Sequence, residues 1–153
     1  FIGDSVAGFC ITGVPTINTD LPSEPTVSFT EFQVRGAVFD ARSGALVSGP
    51  INGNEASLVV NLQTGNLEFS FAVDADLQGT PTRVGSFSGQ GGLIFETSGL
   101  NGVIGANGAS GNIRGGFFGP QGREFGYVFE YRVDENFDGV NELFVAGTVT
   151  GRR

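Results

Sequence analysis

The stretch Asp134-Glu135-Asn136-Phe137-Asp138-Gly139-Val140-Asn141-Glu142 is the part of the chain best equipped for chemistry. Side-chain oxygens recur at relative positions 1, 3, 5 and 9, with a glycine at 6. That spacing can wrap a loop around a hard cation. Asp134, Asn136, Asp138 and Glu142 would supply side-chain oxygens and Val140 its carbonyl, which makes calcium the candidate cofactor. The same residues also read as an acidic hairpin turn with Asp138-Gly139 as the turn pair. The full EF-hand pattern fails, because no Glu stands at position 12 and no helical pattern flanks the loop.

Other chemistries are poorly served. The chain has no His and one cysteine, Cys10, so neither a Ser-His nor a Cys-His pair can form. With no His or Met, only Tyr127 or Tyr131 could ligate a haem iron, and transition-metal binding is weakened for the same reason. Asp74 and Asp76 could in principle work as an acid–base pair, but their place at a strand end suits solvated charge better. Gly89-Gln90-Gly91-Gly92 lacks the Lys and the helix start of a phosphate loop. No catalytic residue is assigned, and the chain reads as a non-enzyme.

Something must position these residues, and the composition says what. There are 26 Gly and 15 Phe in 153 residues, and all eight basic residues are Arg. Aromatic and β-branched residues at this density do not belong to a disordered chain. They read as short strands joined by tight turns. Alternation with a period of two runs along most of the sequence. Leu67, Phe69, Phe71 and Val73 share one face against Glu68, Ser70, Ala72 and Asp74, and Leu58, Val60 and Leu62 share a face just before them. Thr64-Gly65-Asn66 joins these two runs as a hairpin.

Further strands are expected over Val27–Phe39, Gly44–Ser48, Arg83–Ser88, Leu93–Thr97, Asn112–Phe118, Glu124–Val133 and Leu143–Thr150. Gly36 is read as a bulge that lets the apolar face of the first of these change parity. The Gly- and Asn-rich stretch Ser98 to Ser110 reads as a loop or a short helical turn. The resulting fold class is all-β: an antiparallel up-and-down eight-stranded barrel, closed so that no sheet edge is left open.

Residues 1–25 stand apart as an N-terminal strand and extended linker, with the barrel domain at 26–153. Asp4 to Val14 is a short apolar strand, and Pro15, Pro22 and Pro25 punctuate the linker after it. The strand can fold back on its own barrel. It can also pair with a neighbouring molecule through Val6, Phe9, Cys10, Ile11 and Val14, since strand addition needs only an open edge and alternating pockets. Cys10 lies in this apolar run and reads as a buried inert thiol, with an intermolecular disulfide or a lipid-modified cysteine as the sharper alternative. The chain begins at Phe1, as a processed mature chain or an excised domain would, so a signal peptide would already have been removed.

A net charge of −8 excludes nucleic acid as a partner, and no stretch approaches the ~20 apolar residues of a membrane-spanning helix.

The segment Gly115-Gly116-Phe117-Phe118-Gly119-Pro120-Gln121-Gly122-Arg123-Glu124-Phe125-Gly126-Tyr127-Val128-Phe129 resembles a strand–turn–strand motif of transferrin-binding protein B and its relatives. The barrels of those bacterial surface lipoproteins carry small-Phe-Tyr-Gly-Pro, a polar turn, then Glu, an apolar residue, two glycines and apolar-Phe. Gly116, Phe117, Phe118, Gly119, Pro120, Glu124 and Gly126 carry the likeness, and Leu143 to Gly151 is similar to the closing strand. The chain departs from the pattern at Tyr127, where the family keeps a second glycine.

The resemblance implies a C-terminal barrel domain at an extracellular or bacterial outer-membrane surface. It also implies a protein partner contacted through loops at one barrel end. The motif itself is structural, so it marks the fold and not the ligand. The alternative is a structural subunit of an extracellular filament or surface layer, built from copies of the chain through the N-terminal strand.

Overall fold

The structure, a computed structural model, describes residues 9–42, 47–106, 109–134 and 142–153, with the backbone alone at 106 and 109. Alternating sequence becomes ten strands: β1 (Thr26–Ser28), β2 (Glu31–Asp40), β3 (Val47–Gly53), β4 (Ala56–Asn61), β5 (Asn66–Leu77), β6 (Thr80–Ile94), β7 (Gly99–Ala106), β8 (Ala109–Phe118), β9 (Glu124–Val133) and β10 (Leu143–Arg152). All their ladders are antiparallel and belong to one sheet.

The sheet is a ring. β1 and β2 are successive halves of one stave, and β4 and β3, which pair with them in turn, are halves of the next, both flanking β5. Counted this way there are eight staves in chain order, an up-and-down barrel. The last stave closes it. β10 lies between β9 and β2, in register with both from Leu143 to Arg152.

Eight staves leave an interior just wide enough for side chains to fill. Leu67, Phe69, Phe71, Val73 and Ala75 all point inward from β5, as their alternation requires. Aromatic rings interlock across the lumen: Phe71 against Phe129 at 4.5 Å, Phe87 against Tyr131 at 4.2 Å and Phe29 against Phe125 at 4.6 Å between centroids. Each ring removes roughly 150–250 Å² from water, which makes this column the chief source of stability. The expected hairpin joins β4 to β5, and Asn61 caps its turn. Asn61 Oδ1 accepts from the backbone N–H groups of Gln63 and Thr64, and Gly65 takes φ of +78°.

Several expectations need correcting. Gly36 is not a bulge: it stays in register with Gly147 on one side and Ile51 on the other. The parity change occurs earlier, at the break between β1 and β2. Val27 and Phe29 point inward on odd numbers, while Val34 and Val38 do so on even ones. The bulge that does exist lies in β6, where Val84 is the extra residue between the partners of Val73 and Asp74.

Ser98 to Ser110 is not a loop either, since β7 and the start of β8 run through it. Leu100 and Ile104 point inward, and Gly89 and Gly102 leave the space that the Phe69 ring fills. Packing has overridden local propensity there. Gly89-Gln90-Gly91-Gly92 is likewise strand, within β6. Of the expected strand Gly44–Ser48, residues 44–46 lie outside the described residues, and β3 runs on from Val47 to Gly53.

The staves define two ends. The ends of β2, β5, β7 and β9 and the starts of β3, β6, β8 and β10 share one, the loop end. Connections 62–65, 95–98 and 119–123 share the other, the strap end, with the chain before β1.

Candidate functional site

The strap, residues 9–25, gives the strap end its character. Thr16 is buried, its N–H donating to Phe117 O and its hydroxyl to Gly119 O at 2.7 Å. Gly119 N–H donates to Val14 O, and Pro15 bridges Phe118. A short 3-10 turn, Asn18–Asp20, then crosses the mouth. There Asn18 Oδ1 accepts from the buried Ser98 hydroxyl at 2.7 Å, and Asp20 Oδ2 accepts from Gln121 N–H at 2.8 Å. Ser98 and Gln121 both hold φ near +55°, a strained choice for a side-chain residue, so these bonds fix turns that would otherwise relax. Arg153 pairs with Glu24, and its N–H donates to Arg123 O, tying the last strand to the same clasp.

Before Thr16 the strap runs along the outer wall. Ile11 fills the depression left by the missing side chain of Gly126: a Cβ there would sit 2.9 Å from Ile11 Cδ1. Gly13 passes over the Phe118 ring. Residues 9–14 are not a ladder strand, unlike the expected strand ending at Val14, whose earlier part, including Val6, lies outside the described residues. Cys10 is exposed, not buried as expected. The strap turns half-buried Phe9 and Ile11 toward the barrel, which leaves the residue between them facing solvent.

Between the strap and the ends of β2, β9 and β10 lies a groove of about 1070 Å³. Val14 and Ile17 stand on its strap side at 79% and 67% exposure. Phe32, Phe118 and Phe125 contribute to its floor. Its charged lining is Asp20, Glu31 and Glu124 against Arg152, and Arg152 already pairs with Glu31. Sequence reading missed this site, because it forms where the strap meets β2 and the β8–β9 turn and closing strand more than 100 residues away.

At the loop end, Asp40 is buried beside Arg42, whose Nε and Nη2 donate to its carboxylate at 3.0 and 2.7 Å. That charge-assisted pair holds the Asp40 carboxyl below its ordinary pKa. Of the candidate calcium ligands, Asp134 and Glu142 are half-buried at the two ends of their connection. Glu142 N–H donates to Val133 O, and Glu142 O accepts from Ala41 N–H. Asn136, Asp138 and Val140 lie outside the described residues. Asp74, offered as half of an acidic pair, is instead engaged in mid-strand by Arg83, which also reaches Glu55.

The motif residues Gly116, Phe117, Phe118, Gly119, Pro120, Glu124 and Gly126 form the β8–β9 hairpin and its turn. Phe117 points inward, Phe118 lies under the strap, and Gly126 seats Ile11. Tyr127, the departure from the motif, fills the lumen between Phe69, Phe71 and Phe125. Its hydroxyl has no hydrogen-bond partner among the described residues, and burial pushes its pKa far up.

Among the described residues no group of three or more His, Cys, Asp or Glu side chains converges on a point, and no helix is long and apolar enough to cross a membrane.

No family model and no curated protein matches the chain. Among solved structures it is similar to the vaccine antigen transferrin binding protein B of Haemophilus parasuis Hp5. A double-mutant form of that protein superposes with a TM-score of 0.55 at 16% identity, over 91% of this chain and 27% of that one. A single-mutant form gives 0.54 at 15% identity, over 90% and 28%. This chain therefore spans little more than a quarter of those structures, and at such identity the likeness is one of fold.

Proposed function

We propose that the chain is a non-enzymatic barrel module that binds a protein partner on its outer surface, at an extracellular or bacterial cell-surface location. The filled lumen carries this reading. Eight-stranded barrels that hold small ligands keep a cavity, whereas here buried rings from Phe29 to Tyr131 interlock through the interior. What remains for recognition is convex wall, loops and an open groove, surfaces suited to another macromolecule. The shared fold with a protein named for binding transferrin supports the same reading. A calcium ion held by the connection from Asp134 to Glu142 is part of the proposal, as a stiffener of the loop end.

The test immobilises the barrel and passes over it purified extracellular proteins, transferrin and haemoglobin among them, beside a small-molecule panel read by thermal shift. Saturable binding of a protein, with no organic small molecule raising the melting midpoint, is the expected result. An organic small ligand that stabilises the fold, or turnover of any substrate, would overturn it. Surface labelling of intact producing cells checks the location. The filament reading has no comparable support: Ile11 sits on its own barrel and Val14 O is bonded to Gly119.

A further inference from the structure

We propose that the groove between the strap and the outer wall is a docking surface for an extended segment of a partner protein, one that carries arginine or lysine between aliphatic residues. The inference rests on the reading of the chain as a protein-binding module and adds the place and the chemistry of contact.

Two independent features of the groove point to the same occupant. The first is apolar. Val14 and Ile17 expose 79% and 67% of their surface, and both line the strap side of the same groove as Phe118. Scattered exposed aliphatics are ordinary, but these two line one groove together with Phe32 and Phe118. Their segment is held in place. Thr16, between Val14 and Ile17, is buried, with its N–H and hydroxyl both bonded to the β8–β9 turn region. A ligand side chain would meet these aliphatics without first having to order the segment that carries them.

The second feature is charge. The lining holds three carboxylates, Asp20, Glu31 and Glu124, and one guanidinium, Arg152. Arg152 pairs with Glu31 and also feels Glu124, but one guanidinium against three carboxylates still leaves the groove an acidic surplus, in a chain whose net charge is −8. A basic side chain entering between the aliphatics would meet that surplus and be steered toward it. An acidic or purely apolar segment would not. The volume, about 1070 Å³, admits several side chains and is far larger than a single ion needs.

The experiment is backbone-amide NMR on the full chain, titrated with a short unstructured peptide alternating Arg and Ile and with its Glu–Ile counterpart. The expected result is a set of shifts confined to Ile11–Ile17, Glu31, Glu124 and Thr150–Arg152 for the arginine peptide alone. Binding should weaken steeply from about 0.05 M to about 0.5 M salt. Ile17→Ser and Glu124→Gln should each weaken it about fivefold, the loss expected when one contact in a small interface is truncated. Val103→Ser, an equally exposed aliphatic on another wall, should leave it unchanged and controls for general stickiness.

Equal binding of the Glu–Ile peptide overturns the proposal, as do shifts outside the groove, no shifts at all, or occupation of the groove by a second copy of the chain in sedimentation. Shifts confined to the loop end would overturn the groove while leaving the protein-binding reading intact.

Discussion

At the residue scale, Tyr127 shows where sequence reading reached and where it stopped. Its inward direction was legible, since β9 alternates and Phe125 and Phe129 bracket it two residues away on either side. That its hydroxyl lacks a partner was not legible, because the neighbours deciding it, Phe69 and Phe71, come from a strand some 60 residues earlier. A buried hydroxyl without a bond costs roughly 1–3 kcal/mol. Tyr127→Phe keeps the ring and removes the cost, so it should stabilise the barrel by about 1 kcal/mol and raise the melting midpoint by about 3 °C.

The same burial fixes a pH dependence. Tyr127 and Tyr131 both have raised pKa values in the fold because burial disfavours the phenolate. Stability is therefore complete below the ordinary value of 10.0 and falls as pH rises past it, since the unfolded chain ionises first. Urea midpoints measured from pH 8 to pH 11 check both points. The wild-type midpoint should fall above about pH 10, and Tyr127→Phe should fall less.

At the element scale, strands with strict alternation were legible and interruptions were not. Leu67 to Val73 and Leu58 to Val60 gave their inward faces directly. The break after Phe29 was hidden, because the sequence stays apolar across it and only the change of ladder partner from β4 to β3 reveals the switch. The β7 hairpin was hidden by glycines that read as loop but serve to admit Phe69. The strap was half legible. Its prolines were readable, but its seat on Gly126 was not.

That seat can be tested. Gly126→Val should evict Ile11, cost about 1 kcal/mol of lost apolar burial and make the strap a faster target for limited proteolysis, with the barrel left intact. Unchanged cleavage would show that Ile11 is not what holds the strap. The connection from Asp134 to Glu142 carries its own expectation. Calcium should raise the melting midpoint and a chelator should lower it, and identical midpoints in the two would remove the ion from the account.

At the scale of the whole molecule, the barrel depends on one seam. β2 and β10 are separated by more than 100 residues and carry the closing ladder, with Gly36 opposite Gly147 at its centre. A Cβ on Gly147 would lie 2.1 Å from Arg35 O, and one on Gly36 would lie 2.1 Å from Ala146 O, so the two backbones meet where no side chain fits. The seam also ends at the strap, where Arg152 pairs with Glu31 and Thr30 N–H donates to Arg152 O.

Bringing such distant segments together is entropically expensive, so the meander from β3 to β9, built from sequential hairpins, should form first and the seam last. Gly147→Val should then destabilise by about 3 kcal/mol, the upper part of the range for overpacking, and most of that change should appear as faster unfolding with little loss of folding rate. Gly105→Ala, where an added Cβ meets nothing within 4 Å, provides the matched control and should stay within about 0.5 kcal/mol of wild type. Chevron plots of both variants decide the order of assembly. A folding limb slowed in proportion to the lost stability would place the seam in the nucleus, and the barrel would then close before its hairpins are complete.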